Sequence, residues 1–192
     1  MRIQPGTRAA ETAARKQRLL AAAADLAAEG GYDAVQMRDV AARAEVALGT
    51  LYRHYSSKDQ LLLAAMALQA ATLRERLVQR PARGDTAANR VSDVLRRASR
   101  ALEREPRVTR AMLCAMSSAD EAGIPVKAEI DATMRAIIAD AIDGSDARTD
   151  FDDIVRVLGS VWFAELTYWS NGLTPAASMT DNLARAAQLL LK

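Results

Sequence analysis

Residues Met37–Tyr55, with the sequence MRDVAARAEVALGTLYRHY, contain the pattern that decides the fold of this protein. Two short runs with helical spacing, about 37–44 and 48–55, flank a three-residue turn at 45–47. Small or apolar residues fill the positions where two crossing helices meet: Val40, Ala41, Ala44, Val46 and Leu51. Ala41 has to be small because the helices cross closely there. The pattern predicts a helix-turn-helix, whose second helix can enter the major groove of DNA.

The segments outside this pattern also have the spacing and end signals of helices. A first helix over about 11–29 ends at Gly30-Gly31, since glycine favours the backbone that follows a helix C-terminus. Ser57 and Gln60 form a capping box at the start of a long helix. Thr174-Pro175 is an N-cap followed by proline at the first helical position.

Further helices are predicted along the whole remainder of the chain, at about 57–79, 86–104, 107–119, 126–142, 151–170 and 175–191. We therefore predict an all-α protein of about nine helices. The front three helices form a DNA-binding domain over residues 1–56, and the others form a helical effector-binding and dimerisation domain over residues 57–192.

Composition excludes several classes of protein. The chain has 192 residues, and its apolar runs, such as Ala64–Ala71, are far shorter than the ~20 residues of a membrane span. No apolar stretch follows the basic N-terminus, so we expect no secretory signal. Cys114 is the only cysteine, which fits a reducing cytoplasm and, among apolar neighbours, predicts an inert core side chain. His54 is the only histidine, and we expect neither a metal site nor a cofactor.

The net charge of +2 hides a segregation of charge along the chain. Five basic residues face one acid in residues 1–20, and eleven arginines face five acids in residues 74–110. Residues 119–153 reverse the sign, with ten acids against three bases. A basic half and an acidic half indicate that one end meets a polyanion, although long solvated helix faces are often charged as well.

The segment Gly30–Ala65 resembles the N-terminal DNA-binding domain of the TetR family of transcriptional regulators. Within it, LGTLYRHYSSKDQLL (48–62) is similar to the family signature of recognition helix, aromatic residue and Ser-Lys opening the fourth helix. The tract 34–55 is most similar to the actinobacterial repressors of sterol catabolism in that family. The resemblance implies a cytoplasmic homodimer that binds an inverted repeat in double-stranded DNA, with repression as the family expectation.

The resemblance places the DNA-facing residues on the second and third helices. Arg53 would read guanine with its planar guanidinium, whereas Tyr52 either contacts a base or is partly packed. Lys58 would hold a phosphate, helped by the N-terminal dipole of the fourth helix. His54 is either a phosphate contact or an inward side chain. The implied DNA-binding residues are Arg38, Ala47, Leu48, Gly49, Thr50, Tyr52, Arg53, His54, Tyr55 and Lys58.

Two positions depart from the family pattern, and the basic segment 15–18 has two possible interpretations. Glu45 stands where the turn often has glycine, so a left-handed backbone there costs about 1 kcal/mol. Gln36 replaces the usual Ser or Thr at the N-cap of the second helix and is a poorer cap. The basic residues Arg15, Lys16 and Arg18 form either an arm in the minor groove or a solvated basic tail.

The helix over residues 154–169 is apolar nearly all round, with Arg156 and Glu165 as its only charges, and needs cover on two sides. The resemblance implies that it and the final helix pair with their copies, which places two recognition helices ~34–36 Å apart or a little more. The alternative is that one chain covers both faces. The implied dimer-interface residues are Val161, Tyr168, Met179, Leu183, Ala187 and Leu190.

Methionines and aromatic residues of the central helices suit an adaptable apolar cavity, although such residues are more often core. The candidate pocket residues are Met66, Met112, Leu113, Met116, Met134, Ile138, Trp162, Phe163, Leu166 and Trp169. The resemblance implies a bulky apolar effector, such as a lipid- or sterol-derived CoA thioester. Four arginines either meet its phosphates or form a solvated face: Arg96, Arg97, Arg100 and Arg104.

Other classes of function have less support. An enzyme would need an oriented base beside a nucleophile, or a metal cluster, and the single His54 and Cys114 supply neither. No nucleotide-binding glycine motif occurs. We therefore predict that the chain is not an enzyme. A co-regulator that acts through protein contacts without reading DNA remains the alternative.

Overall fold

Helices make up almost all of the part of the chain that the structure, a computed structural model, describes: residues 5–142 and 150–191. They are α1 (Pro5–Gly30), α2 (Met37–Arg43), α3 (Leu48–His54), α4 (Lys58–Gln79), α5 (Ala87–Glu103), α6 (Pro106–Ser117), α7 (Ile124–Ile142), α8 (Phe151–Ser170) and α9 (Ala176–Leu190). Short 3₁₀ turns occupy Tyr32–Ala34 and Glu121–Gly123. These described ranges contain no strand, and the predicted all-α fold is confirmed.

The start of α4 has the predicted cap in a slightly different form. The Ser57 hydroxyl accepts a hydrogen bond from the Gln60 amide at 3.1 Å, as a capping box requires. The Gln60 side-chain oxygen, in contrast, accepts from the Ser56 amide at 2.6 Å, one residue earlier than in the usual box. The polar residues of this segment therefore fix both the helix start and the chain that enters it.

The helix α1 begins earlier than predicted, at Pro5 rather than near residue 11. Arg15, Lys16 and Arg18 lie within this helix, as the predicted helix over about 11–29 implies, and Lys16 and Arg18 are exposed on it. A contact of these residues with the minor groove stays a prediction. The Arg18 guanidinium donates a hydrogen bond to the Ala44 carbonyl at 3.2 Å and so joins α1 to the end of α2. The first four residues of the predicted basic segment lie outside the described ranges.

A first hydrophobic core joins α1, α2 and α3 to the start of α4 and to α6. Leu19, Val40 and Leu51 are completely buried, as the helix-turn-helix pattern requires. The three leucines at 61–63 and Ala111 of α6 are equally buried in the same core. The core therefore continues past residue 56, the expected domain boundary, and ties the front helices to the rest of the chain.

The turn between α2 and α3 uses a left-handed backbone at Glu45, where φ is 53°. The Val46 amide then donates to the Ala41 carbonyl at 2.9 Å and closes the turn. Among the described residues, Glu45 is the only non-glycine residue with positive φ. The expected strain at this position is therefore present, and the tight crossing at buried Ala41 is what holds it.

A second hydrophobic core lies between α5, α7, α8 and α9. Met179, Leu183 and Ala187, all expected at a dimer interface, are 0–1% exposed in this core because α9 packs on α5 and α8. That part of the interface prediction is wrong, since these side chains are already covered within one chain. Trp162 and Trp169 lie only partly buried at the edge of the same core.

Cys114 is exposed, which corrects the prediction of a core side chain. It lies four residues after Arg110 and three before Ser117, and all three are on the outer face of α6. Its immediate neighbours in the sequence are apolar, but they point to the opposite side of the helix, toward the two cores.

Candidate nucleic-acid interface

The helix α3 presents one face to the core and the other to solvent. Leu51 is fully buried, whereas Tyr52 is 50% exposed and Arg53 is exposed beside it. Leu48 is partly buried against the first core. A Cβ placed on exposed Gly49 would meet no atom within 4 Å, so the start of the helix lies open to a large partner. Leu51 therefore anchors α3 to the core, and the exposed side chains of Tyr52 and Arg53 remain accessible to a partner.

Arg53 is already oriented in the absence of a partner. Its guanidinium donates a hydrogen bond to the Thr50 hydroxyl at 2.8 Å, one turn earlier on α3. This contact uses one of the five N–H donors of arginine and leaves the others for a planar, two-pronged contact. The structure thus brings together Thr50 and Arg53, two residues predicted to face DNA.

His54 lies at the end of α3 within a cluster of positive charge. Partial burial lowers the pKa of its imidazole first, and the positive charges of Lys16, Arg15 and Arg53 lower this pKa further. Burial and these neighbouring charges all favour the neutral form of the imidazole. Two basic residues of α1 therefore lie near the end of the recognition helix, which the linear spacing did not predict.

Lys58 is held by Tyr32 at the first turn of α4. Its ammonium lies 3.8 Å from the centroid of the Tyr32 ring and 3.4 Å from the Tyr32 carbonyl oxygen, to which it donates. The Tyr32 hydroxyl in turn donates to the carboxylate of buried Asp59, and burial together with this bond raises the pKa of the phenol. Sequence reasoning missed Tyr32, because the contact joins residues 26 positions apart.

The remaining predicted DNA-facing residues differ in exposure. Arg38 on α2 and Ala47 before α3 are exposed. Gln36, as expected, makes no side-chain cap for α2, and its amide donates instead to the Asp33 carbonyl at 2.8 Å. Tyr55 is only 8% exposed and packs in the first core, where burial raises its pKa. A phosphate contact from its hydroxyl stays a prediction.

A narrow apolar groove lies between α4, α5, α7 and α8. Three of the candidate pocket residues line it, Met66, Met134 and Trp162, and the other walls are Gln69, Ala70, Leu73, Ala98, Ala101, Leu102 and Ile130. The Trp162 indole donates to the hydroxyl of fully buried Ser99 at 3.0 Å. The free volume of about 50 Å³ is far below the ~300–1,000 Å³ of a typical ligand site, so a bulky molecule would have to part the helices.

The other seven candidate pocket residues lie away from this groove. Buried in the two cores are Met112, Leu113, Ile138 and Leu166, while Met116, Phe163 and Trp169 pack partly buried against them. Leu113 also borders a separate open depression with Arg110 and Thr167. The arrangement gives most of these residues a packing role, and their part in an effector site stays a prediction.

The four arginines considered for the effector phosphates divide into two pairs. Arg96 and Arg97 both form ion pairs with Asp93, which is 4% exposed, and Arg97 also donates to the Arg80 carbonyl at 2.6 Å. These contacts hold the segment between α4 and α5. Arg100 is exposed on the same helix, and Arg104 is exposed directly after its last residue.

The outer face of α8 carries an apolar stripe that the described chain leaves open. Val157 is 39% exposed and Tyr168 is 48% exposed, with half-buried Val161 and Ala164 between them. The spacing of four, seven and eleven residues puts these four side chains on one side of the helix. Leu190, the last predicted interface residue, is half-buried at the end of α9.

Residues 5–142 and 150–191 contain neither a candidate metal site nor a membrane-spanning helix. These residues contain no group of three or more His, Cys, Asp or Glu side chains that could hold a metal ion. None of their helices is long and apolar enough to cross a membrane.

Family models match both parts of the chain. The model of bacterial regulatory proteins of the tetR family matches residues 19–65, and the model of the tetracyclin repressor-like C-terminal domain matches residues 84–190. The first range contains α2, α3 and the start of α4, where the candidate interface lies.

Relatives and solved structures agree with these matches. The HTH-type transcriptional repressor KstR of Rhodococcus jostii is 34% identical over 92% of this chain and 82% of its own length, which confirms the finer resemblance within the family. A TetR transcriptional regulator from Rhodococcus sp. RHA1 has the same fold, with a TM-score of 0.87 and 34% identity over 94% of this chain and 97% of its own. Thermus thermophilus FadR, a repressor solved with lauroyl-CoA, shares the fold at a TM-score of 0.73 with 21% identity, over 92% of this chain and 93% of its own.

Proposed function

Because the chain belongs to the TetR family of bacterial regulatory proteins, we propose that it is a repressor that binds an inverted repeat of operator DNA as a homodimer and is released by a small apolar effector. The observation that carries this proposal is the recognition helix. Its inner residue Leu51 is fully buried, while Tyr52 and Arg53 project into solvent, so the helix is both fixed and accessible. A major groove is wide enough to admit such a helix.

The roles of the side chains follow from their chemistry. Arg53, oriented by Thr50, reads a guanine through its O6 and N7 acceptors, and Tyr52 adds an apolar or base contact. Lys58 and Arg38 neutralise phosphates and fix the register of the protein on the duplex. His54, at the end of the same helix, can donate a ring N–H to a phosphate oxygen and so helps to fix the position of the helix on the duplex. The amides around Gly49 approach the backbone of the duplex.

A dimer brings two such helices to one face of DNA. The open stripe of α8, from Val157 to Tyr168, supplies the contact surface between the two subunits, because a contiguous exposed apolar patch is stabilised when a partner covers it. We infer that Leu189 of α9, 63% exposed, and half-buried Leu190 belong to the same surface, because α9 packs on α8. The stripe is self-complementary in a two-fold pair, since the same patch serves both subunits.

The effector occupies the groove lined by Met66, Met134 and Trp162. Flexible methionines and an indole adapt to a bulky apolar body, and the groove can enlarge because it lies between helices. A lipid- or sterol-derived CoA thioester fits this chemistry, and FadR, which shares the fold, was solved with lauroyl-CoA. Since Arg96 and Arg97 are paired with Asp93, exposed Arg100 and Arg104 are the better candidates for the phosphates of such an effector.

The experiment that tests the function is selection from a pool of random duplexes with purified protein at near-physiological salt. We expect enrichment of one inverted repeat whose half-sites are about one helical turn apart or a little more. A gel-shift titration of the recovered duplex then gives its dissociation constant relative to a scrambled duplex. Recovery of no common sequence, with only weak and salt-sensitive binding, would contradict specific reading and favour a co-regulator that acts through protein contacts.

A further inference from the structure

The connection between α6 and α7 is a compact, internally bonded unit, residues 118–123, which we call the α6–α7 turn. One carboxylate oxygen of Asp120 accepts from the Ala122 amide at 3.0 Å, and the Asp120 amide donates to the Ser118 hydroxyl at 3.2 Å. The Lys127 ammonium of α7 donates to the Ser118 carbonyl. These bonds attach the α6–α7 turn to the first turns of α7, so the two have to move together.

The α6–α7 turn contacts α4 at two points. The Ser57 hydroxyl donates to the second carboxylate oxygen of Asp120, and this bond, more than any other, lowers the pKa of that carboxyl. Gly123 packs so closely that an added Cβ would lie 2.8 Å from Leu63 of α4. Ser57 is also the N-cap of α4, so a single hydroxyl joins the helix start to the turn.

Both ends of this connection lead to functional surfaces. Toward DNA, the first turn of α4 holds Tyr32 and Lys58, and the leucines at 61–63 pack in the same core as Leu51 of the recognition helix. Toward the effector, α7 contributes Ile130 and Met134 to the groove. Ile130 lies six residues beyond the start of α7, about 9 Å along the helix.

We propose that Asp120 is a positioning residue for the recognition helix: through Ser57 it transmits the position of α7, and with it the occupancy of the groove, to the start of α4. The inference rests on the proposed function and names the residue that couples its two sites. The free volume of the groove is only about 50 Å³, so a bulky molecule that enters it parts the helices that line it, α4 and α7 among them. The α6–α7 turn follows α7, and the bond from Ser57 then shifts α4 and the recognition helix with it.

The test uses a groove-filling substitution in place of an unidentified effector. Ala70→Phe fills the groove from α4, and Ala71→Phe makes the same change on the exposed face of that helix as the matched control. Dissociation constants for the selected duplex are measured by fluorescence anisotropy in the wild-type and Asp120→Ala backgrounds. We expect Ala70→Phe to weaken binding about tenfold in the wild-type background and less than about twofold in the Asp120→Ala background, with no change from Ala71→Phe.

A second pair of variants separates coupling from helix capping. Ser57→Asp keeps a good N-cap acceptor for α4 but lacks the hydroxyl donor and places a second carboxylate beside Asp120. Ser57→Thr keeps both the cap and the donor. We expect the effect of Ala70→Phe to disappear in the Ser57→Asp background and to persist in the Ser57→Thr background. A merely structural role of Ser57 as a cap would leave the effect unchanged in both.

Each outcome bears on the proposal. An equal tenfold loss from Ala70→Phe with and without Asp120 would overturn it, and so would the absence of any loss in the wild-type background. Circular dichroism shows whether each variant folds. If Ala70→Phe does not fold, Ala98→Phe replaces it in the same comparison, because it fills the groove from α5. Failure of the duplex selection itself would instead remove the proposed function, before any coupling is measured.

Discussion

The two hydrophobic cores of the molecule differ in how completely their apolar side chains are buried. In the first core, around α1–α3 and the start of α4, large side chains such as Leu19, Leu51 and Leu62 are completely buried. The second core, around α5 and α7–α9, leaves Trp162 half-buried beside a groove and Tyr168 half-exposed on α8. The first region is complete within one chain, whereas the second leaves exposed apolar surface, which the proposed effector and the proposed second subunit would cover.

The largest expected effect tests the completeness of the first core. Leu51→Ala should lower the free energy of unfolding by ~2–5 kcal/mol, because the side chain is fully buried and the surrounding helices can close only part of the cavity. Urea denaturation followed by circular dichroism measures the change. Val78→Ala, at a side chain that is 77% exposed, is the control and should change stability by ~0.5 kcal/mol or less. Equal losses in the two variants would contradict the comparison.

The second expected effect tests the open stripe of α8. Tyr168→Asp should weaken the dimer by ~2–4 kcal/mol, because a buried charge replaces an aromatic side chain at a two-fold contact. Sedimentation velocity over a dilution series gives the dissociation constant. Leu68→Asp, an equivalent change at a 44% exposed residue of α4, should leave the dimer intact. If Tyr168→Asp has no effect either, the stripe is not the interface.

A somewhat smaller effect tests the proposed roles of two residues of the DNA interface, base reading by Arg53 and a phosphate contact by Lys58. Arg53→Ala should reduce discrimination between the selected duplex and one with a changed guanine by ~1–3 kcal/mol, since the guanidinium can make a two-pronged contact. Lys58→Ala is the contrasting variant, because it removes a phosphate contact and should weaken all duplexes alike and reduce the salt dependence. Anisotropy titrations at several salt concentrations measure both. Unchanged selectivity in Arg53→Ala would defeat its assignment to base reading.

The smallest effect concerns the strained turn of the otherwise complete region. Glu45→Gly should raise the free energy of unfolding by up to ~1 kcal/mol, because glycine adopts a φ of 53° without a Cβ penalty. The gain is partly offset by the greater freedom of glycine in the unfolded chain. Thermal unfolding by calorimetry measures it. A clear loss of stability would mean that the Glu45 side chain contributes contacts that outweigh the strain.

The sequence predicts the first region better than the second for a physical reason. The crossing of α2 and α3 is encoded by near neighbours, so Ala41 and Leu51 could be assigned from spacing alone. An apolar stripe on a helix, in contrast, does not say which helix covers it. The pattern therefore predicts a contact with a partner chain for Met179 and Leu183, whereas α5 and α8 of the same chain bury them.

Polar contacts between segments that are far apart in the sequence also cannot be predicted from residue spacing. The bond between Ser57 and Asp120 joins residues 63 positions apart, and the contact of Lys58 with Tyr32 spans 26. Cys114 shows the converse limit, since apolar neighbours in the sequence lie on another face of its helix. The sequence thus predicts the recognition helix itself but not the residues that hold it in place.

The positions of the rarest residues give each region its own optical or magnetic signal. Both tryptophans of the chain, Trp162 and Trp169, lie on α8, and Trp162 borders the groove with its indole bonded to Ser99. The one histidine, His54, ends the recognition helix. Intrinsic fluorescence therefore reports on α8, whose Trp162 borders the groove, and the imidazole C–H resonances of the one histidine in a proton NMR spectrum report on the end of the recognition helix. Unlabelled protein can be followed at both sites in the same titration.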